Sequence, residues 1–295
     1  MPDSFEAKIK DLIDKKAFVK RRLSWVAQDD KFFYKIPKLS SSSVLDFENE
    51  KIVNKASQEF EDLKMLNKLA PDLVEEPIYF SSKYSCLVNR KIEGDDLRDV
   101  LLNLDREDLV ERELKKLIAK IAQLHQIRPD DKINYQNYEK WKELNPELAE
   151  RLESRPRVIN SSGISVRNFR YNKNGDLFFF DPSNVNIGVP ESDLARLIFS
   201  LLIIRWGRNF NFSIFKKFDL GNLLKYYEDR SGSGLDSDIF CAFLDSKIKS
   251  QAKSVRKKGK KNKFLAVPMF LYSRVFFYQI NKWKKESYIK LSREK

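Results

Sequence analysis

The stretch VINSSGISVRNFRYNKNGDLFFFDPSNV, residues 158–185, decides how the rest of the chain is read. Short apolar runs stand on either side of NKNG (172–175), a turn-forming composition, so the segment reads as a β-hairpin. On its carboxyl-terminal side, ESDLARLIFSLLIIRW from Glu191 reads as a buried helix followed by further helices, and LIFSLLII within it is too short to span a bilayer. On its amino-terminal side, DDLRDVLLNL and REDLVERELKKLIAKIAQLHQI repeat apolar residues three and four apart, the period of an amphipathic helix. The polar segment that follows them is helical in its later part and closes at Pro156.

Before Gly94 the periodicity changes. FEAKIKDLIDKK predicts an opening helix, and AFVKRRLSWVA and KFFYKIPK alternate as two or three antiparallel strands do. From Lys51 to Leu69 the apolar residues Val53, Ala56, Phe60, Leu63 and Leu66 predict a helix that stops at Ala70–Pro71. EPIYFSS and YSCLVNRKIEG then read as two more strands.

At 295 residues, 42% hydrophobic and 34% charged, the composition is that of a globular protein able to bury a substantial core. No apolar leader opens the sequence, so a cytoplasmic location is the expectation. The two cysteines, Cys86 and Cys241, and the single histidine, His125, make no zinc-ligand pattern and read as structural. The net charge of +13 is concentrated at one end: residues 252–295 hold 14 Lys/Arg against 2 Asp/Glu, leaving +1 for residues 1–251. KSVRKKGKKNK (253–263) is expected to be a solvated loop, because like charges repel and Gly259 disfavours a helix. Residues 252–263 could engage a polyanion or an anionic membrane surface, which would make the protein peripheral there; the alternative is a basic loop with no partner. FLAVPMFLYSRVFFYQI (264–280) reads as a terminal helix packed on the helical part, with an interfacial helix as the alternative.

In this order and with these motifs, the chain resembles the aminoglycoside-phosphotransferase and choline-kinase branch of the protein-kinase-like fold across residues 17–210. The resemblance implies an α+β, two-lobed architecture, with a small antiparallel-sheet N-lobe (1–93) and a mainly helical C-lobe (94–295) that carries the basic segment 252–295. It implies ATP and Mg2+ as ligands. Lys35 in FFYKIPK matches the lysine that contacts the α- and β-phosphates, and Glu59 in QEFEDLKMLNKL matches its glutamate partner. Main-chain groups around Asn89, Arg90 and Lys91 would meet the adenine, and Asn168 and Asp181 would hold the metal. Asp193 in GVPESDLARL would accept hydrogen bonds from the main chain of the catalytic loop.

The departures carry as much information. The family places an aspartate aimed at the substrate hydroxyl five residues before the metal-binding asparagine. Here that position is Gly163, which has no side chain, and the histidine two residues earlier in the family pattern is Ser161. Ser161, Ser162 and Ser165 flank the gap, but an unperturbed hydroxyl is a poor base near neutral pH. Residues 1–93 contain no glycine, so no glycine-rich loop covers the phosphates; Arg21 and Arg22 could supply charge there instead. A kinase-shaped protein with a degenerate catalytic loop is therefore expected, acting on an unidentified protein partner as a scaffold or regulator. The alternatives are an atypical ATP-dependent phosphotransferase with a small-molecule substrate, and a platform that works through the basic carboxyl-terminal segment.

Overall fold

The computed structural model describes residues 2–21, 23–39, 45–129, 133–204 and 218–261, with residues 274, 277, 278, 280–283, 285 and 286. The chain divides into two units, Met1–Asp95 with Asn168–Asn184, and Asp96–Arg167 with Val185–Lys295.

In the first unit, α1 (Pro2–Asp14) precedes β1 (Val19–Lys20), β2 (Ser24–Gln28) and β3 (Phe32–Pro37), followed by α2 (Glu50–Leu69), β4 (Pro77–Ser81) and β5 (Cys86–Arg90). The strands form one antiparallel sheet in the order β1-β2-β3-β5-β4. Strand alternation sorts its faces. Tyr34 and Ile36 of β3 and Cys86 and Val88 of β5 join Ile9 and Leu12 of α1 and Ile52 of α2 in one apolar cluster. Phe33, Lys35, Leu87 and Asn89 therefore share the other face, where Lys35 pairs with Leu87 and Phe33 with Asn89. A slip of one residue would bury Lys35 in the cluster, so the apolar pattern fixes its direction.

Asn49 caps α2 by accepting the Lys51 N–H at 3.1 Å, and the helix ends at Ala70, next to Pro71. Its inward stripe starts one residue earlier than the sequence suggested: Ile52 is buried, not Val53, and Phe60 is half-buried, stacking on Phe80 at 5.9 Å. The expected hairpin is present as β7 (Phe169–Tyr171) and β8 (Leu177–Phe179), with Phe169 and Phe179 stacked at 4.9 Å. Asn172 Oδ1 organises its turn by accepting the N–H groups of Asn174 and Asp176, and Gly175 supplies the left-handed residue at φ 82°.

The second unit contains α3 (Leu97–Asn103), α4 (Glu107–Gln126), α5 (Glu139–Leu144), α6 (Ala149–Glu153), β6 (Val158–Ser161), β9 (Val185–Gly188), α7 (Pro190–Ile204), α8 (Leu220–Ser231) and α9 (Ser237–Lys261). Strands β6 and β9 pair antiparallel, α4 packs on α8 and α7 on α9. The chain thus has the α+β fold expected, a small antiparallel sheet with a mainly helical remainder.

One expectation is overturned. The basic run 253–261 is not a loop, because α9 continues unbroken to Lys261. Its amino-terminal half buries Ile239, Phe240, Phe243, Leu244 and Ile248, and once a helix is nucleated each added residue gains a hydrogen bond, which outweighs the roughly 1 kcal/mol cost of Gly259. Asn262 and Lys263 lie outside the described residues, as do Arg22 and all of 264–280 except Arg274, Phe277, Tyr278 and Ile280. Among the described residues, no helix is long and apolar enough to cross a membrane.

Candidate nucleotide site

Lys35 leaves β3 on the face away from the apolar cluster, and its ammonium meets two carboxylates from distant parts of the first unit. Nζ lies 2.8 Å from Glu59 Oε2 on α2 and forms an ion pair with Asp181 Oδ1, just beyond β8. Lys35 and Glu59 are nearly buried, while Asp181 keeps 41% of its side chain exposed. Burial opposes the ammonium form, but the Asp181 and Glu59 carboxylates outweigh it and hold the Lys35 pKa above its usual value. Lys55 adds a weaker charge, 3.9 Å from Glu59.

Asn168 and Asp181 lie at the open end of the same hairpin. The Asn168 carbonyl accepts the Phe180 N–H at 2.9 Å, one residue beyond the Phe169–Phe179 pair. Asp181 adopts a left-handed backbone at φ 59°, a conformation that Asp tolerates better than most residues. Its carboxylate and the Asn168 amide are hard oxygen donors of the kind that suit Mg2+ or Ca2+.

Asn89 and Arg90 end β5 and Lys91 follows it, with Asn89 on the sheet face that carries Lys35. Asn89 is buried at the end of β5, and the Arg90 and Lys91 N–H groups are taken by the carbonyls of Glu76 and Lys31 at 2.8 and 3.0 Å. The Arg90 and Lys91 side chains bond Glu76 Oε2 and the Asp29 carbonyl. A cavity of roughly 620 Å³ is lined by Asn67, Val74, Glu75, Arg90, Lys91 and Phe178 among others, and Lys35 and Asp181 take no part in its wall.

Sequence reasoning missed Glu75. It is 6% exposed, and its Oε1 accepts the Asp181 N–H at 3.0 Å. Burial pushes its carboxyl up to about 7, against the pull of that N–H and of the Asn89 amide. No local signal marks it, since Glu75-Glu76-Pro77 before a strand reads as an ordinary polar connection.

In the second unit the segment from Ser161 is fastened to α7. The Ser161 N–H donates to Asp193 Oδ2 at 3.1 Å, as the family resemblance implies, and the Ser161 carbonyl accepts from Arg196 Nη1 at 2.7 Å. Ser161 Oγ accepts the Gly163 N–H, and the Val166 N–H donates to Ser200 Oγ. His125 is buried with Nδ1 2.8 Å from the Tyr227 hydroxyl and Nε2 3.5 Å from Asp193, a structural setting. No residue from Ser161 to Asn168 carries a carboxylate, and Ser161, fully buried and engaged with Gly163, is poorly placed to act as a base.

Neither a protein-family model nor a curated protein sequence matches the chain. Solved structures do. The amicoumacin kinase hAmiN in complex with AMP-PNP, Ca2+ and Ami superposes with a TM-score of 0.58 at 12% identity, covering 97% of both chains. The choline kinase LicA from Streptococcus pneumoniae gives 0.51 at 16% identity, covering 95% of this chain and 98% of its own. The aminoglycoside phosphotransferase APH(3'')-Id from Streptomyces rimosus gives 0.51 at 16% identity, covering 83% and 97%. The chain has the two-lobed α+β kinase-like fold of the aminoglycoside phosphotransferases and choline kinases.

Proposed function

We propose that the protein is a pseudokinase: a kinase-shaped binding or scaffold protein that takes up ATP with a divalent cation but transfers its phosphate inefficiently. The observation that carries this reading is the segment from Ser161 to Asn168, which has glycine where the family has its aspartate and no carboxylate elsewhere. Phosphoryl transfer depends on positioning and charge neutralisation, and a carboxylate aimed at the attacking hydroxyl is one part of that arrangement. Lys35, held by Glu59, would meet the phosphates; Asn168 and Asp181 would hold the cation, whose bound charge would neutralise phosphate oxygens. Main-chain carbonyls around Asn89, Arg90 and Lys91 would face the base, since the Arg90 and Lys91 N–H groups are already bonded to the Glu76 and Lys31 carbonyls. Support for the ligand class comes from the fold's neighbours, one solved with AMP-PNP and Ca2+ and another with ADP and streptomycin.

A second reading is favoured by the intact Lys35–Glu59–Asp181 ion-pair network: an atypical ATP-dependent phosphotransferase acting on a small molecule. The test is calorimetric ATP titration with and without Mg2+, followed by a γ-phosphate transfer assay on a panel of small-molecule alcohols and amines. Binding without transfer supports the pseudokinase. Robust transfer, abolished by Asp181→Ala, would replace it with the enzyme, and no binding at millimolar Mg-ATP would make the site a relic.

A further inference from the structure

We propose that Glu75 is a positioning residue for the metal-binding aspartate, its carboxyl oxygen holding the Asp181 main chain in the left-handed conformation that presents the Asp181 carboxylate to a nucleotide-bound divalent cation. This rests on the nucleotide reading above.

Three consecutive N–H groups lead into that position, and each has a different acceptor. The Phe179 N–H goes to the Leu73 carbonyl at 2.8 Å, the Phe180 N–H to the Asn168 carbonyl at 2.9 Å, and the Asp181 N–H to Glu75 Oε1 at 3.0 Å. The first two acceptors are main chain and insensitive to sequence. The third is a side chain, so one substitution removes it. Asp181 is also where support is needed: it sits at φ 59° with its side chain 41% exposed, and a non-glycine residue in that region persists only when its surroundings hold it there.

Glu75 is itself firmly placed. The segment after α2 runs beside β8, with Val74 bridged parallel to Phe179 and the Glu75 N–H donating to the Phe179 carbonyl at 3.2 Å. Burying a carboxyl costs free energy unless its oxygens are used. Here the Asp181 N–H uses one of them. The geometry has a further consequence. Helix α2 holds Lys35 through Glu59, and the segment that continues from α2 holds Asp181 through Glu75, so one stretch of chain fixes both partners of the Lys35–Asp181 ion pair.

The test compares ATP dissociation constants in Mg2+ and in EDTA for the wild-type chain, Glu75→Gln and Glu75→Met, using calorimetry. Glu75→Gln keeps an acceptor oxygen for the Asp181 N–H, and its amide can donate to Asn89 Oδ1, which is buried without a partner. It should keep the wild-type gain in affinity from Mg2+. Glu75→Met should lose about tenfold of that gain, the worth of one hydrogen bond to a functional group, with the metal-free affinity unchanged. A Glu75→Met chain with the full gain overturns the proposal, and so does one in which metal-free and Mg2+-dependent binding fall together, since that marks a merely structural role. If the wild-type chain binds ATP equally with and without Mg2+, or not at all, the nucleotide reading fails and takes this inference with it. A measurement on the wild-type chain needs no variant to fold: the Asp181 amide should exchange slowly with solvent, and free exchange would overturn the proposal.

Discussion

Lys35 and Glu59 form an ion pair, Nζ to Oε2 at 2.8 Å, with only 11% and 12% of their side chains exposed. Removing one member of a buried pair leaves an uncompensated charge, which costs about 3–5 kcal/mol where no second partner exists. The two members are not equivalent here. Among the described residues, Lys35→Met leaves Glu59 with only Lys55 at 3.9 Å, whereas Glu59→Met leaves Lys35 still paired with Asp181. The expected outcome in urea unfolding is a loss of about 3 kcal/mol for Lys35→Met and less for Glu59→Met. The double variant should lose less than the sum, because two residues in contact couple. Additive losses would mean that the pair is not formed in solution.

Gly94 supplies a second test, this time of the main chain. Its φ of 151° lies outside the range that L side chains adopt comfortably, and a Cβ there would fall 2.1 Å from the Tyr171 carbonyl oxygen. The close approach accompanies a hydrogen bond from the Tyr171 N–H to the Asp95 carbonyl at 2.9 Å, which ties residues 94–95 to β7. Gly94→Ala combines strain with a backbone clash, so a destabilisation of about 1–3 kcal/mol is expected by urea unfolding. Gly175, also left-handed at φ 82° but with open space around its Cα, should cost about 1 kcal/mol as alanine, and the ordering of the two is the result to check.

Lys35, Glu59 and Asp181 were singled out through the family resemblance, which placed them on a strand, an amphipathic helix and a hairpin end that the local patterns did make legible. Their meeting was legible only through the family resemblance, since the ion pair to Asp181 joins residues far apart in sequence. Glu75 was not legible at all. Its role depends on Leu73–Glu75 lying beside β8, a main-chain pairing that no periodicity encodes. The β6–β9 pair was missed for the same reason, because two four-residue strands separated by a hairpin give little signal. The helical state of 253–261 was misread because charge repulsion was weighed locally, while the helix is set by the apolar residues that precede it.

Lys247 on α9 should leave a signature in the pH dependence of stability. Burial and the neighbouring Arg196 guanidinium push its pKa down from 10.5 to about 8, with Asp193 acting in the opposite sense. Below about 8 the amine is charged in both folded and unfolded chains, and the cost of burying that charge is felt in full. Between about 8 and 10.5 the unfolded chain holds the proton and the folded one does not, so stability rises with pH across that window. Lys247→Met should be more stable than wild type at pH 7, and the difference should shrink as pH rises from 8 to 10. A constant difference across that range would show that the amine is not depressed.

The basic end of the chain supplies the last test. Residues 252–295 carry 14 Lys/Arg against 2 Asp/Glu, and α9 carries part of this excess as a helix through Lys261. If this end meets a polyanion, binding must release condensed counterions, so affinity for duplex nucleic acid or anionic vesicles should fall steeply as salt is raised from 50 to 200 mM, by about a thousandfold for six phosphate contacts. Replacing Arg256, Lys257, Lys258, Lys260 and Lys261 with glutamine keeps good helix formers in place and leaves untouched the buried residues Ile239 to Ile248, so folding should be unchanged. Binding should weaken, and its dependence on salt should become shallower, as fewer counterions are released. A wild-type chain that binds neither polyanion at low salt, or a variant that binds as tightly as wild type, would make the basic segment a solvated helix end with no ligand.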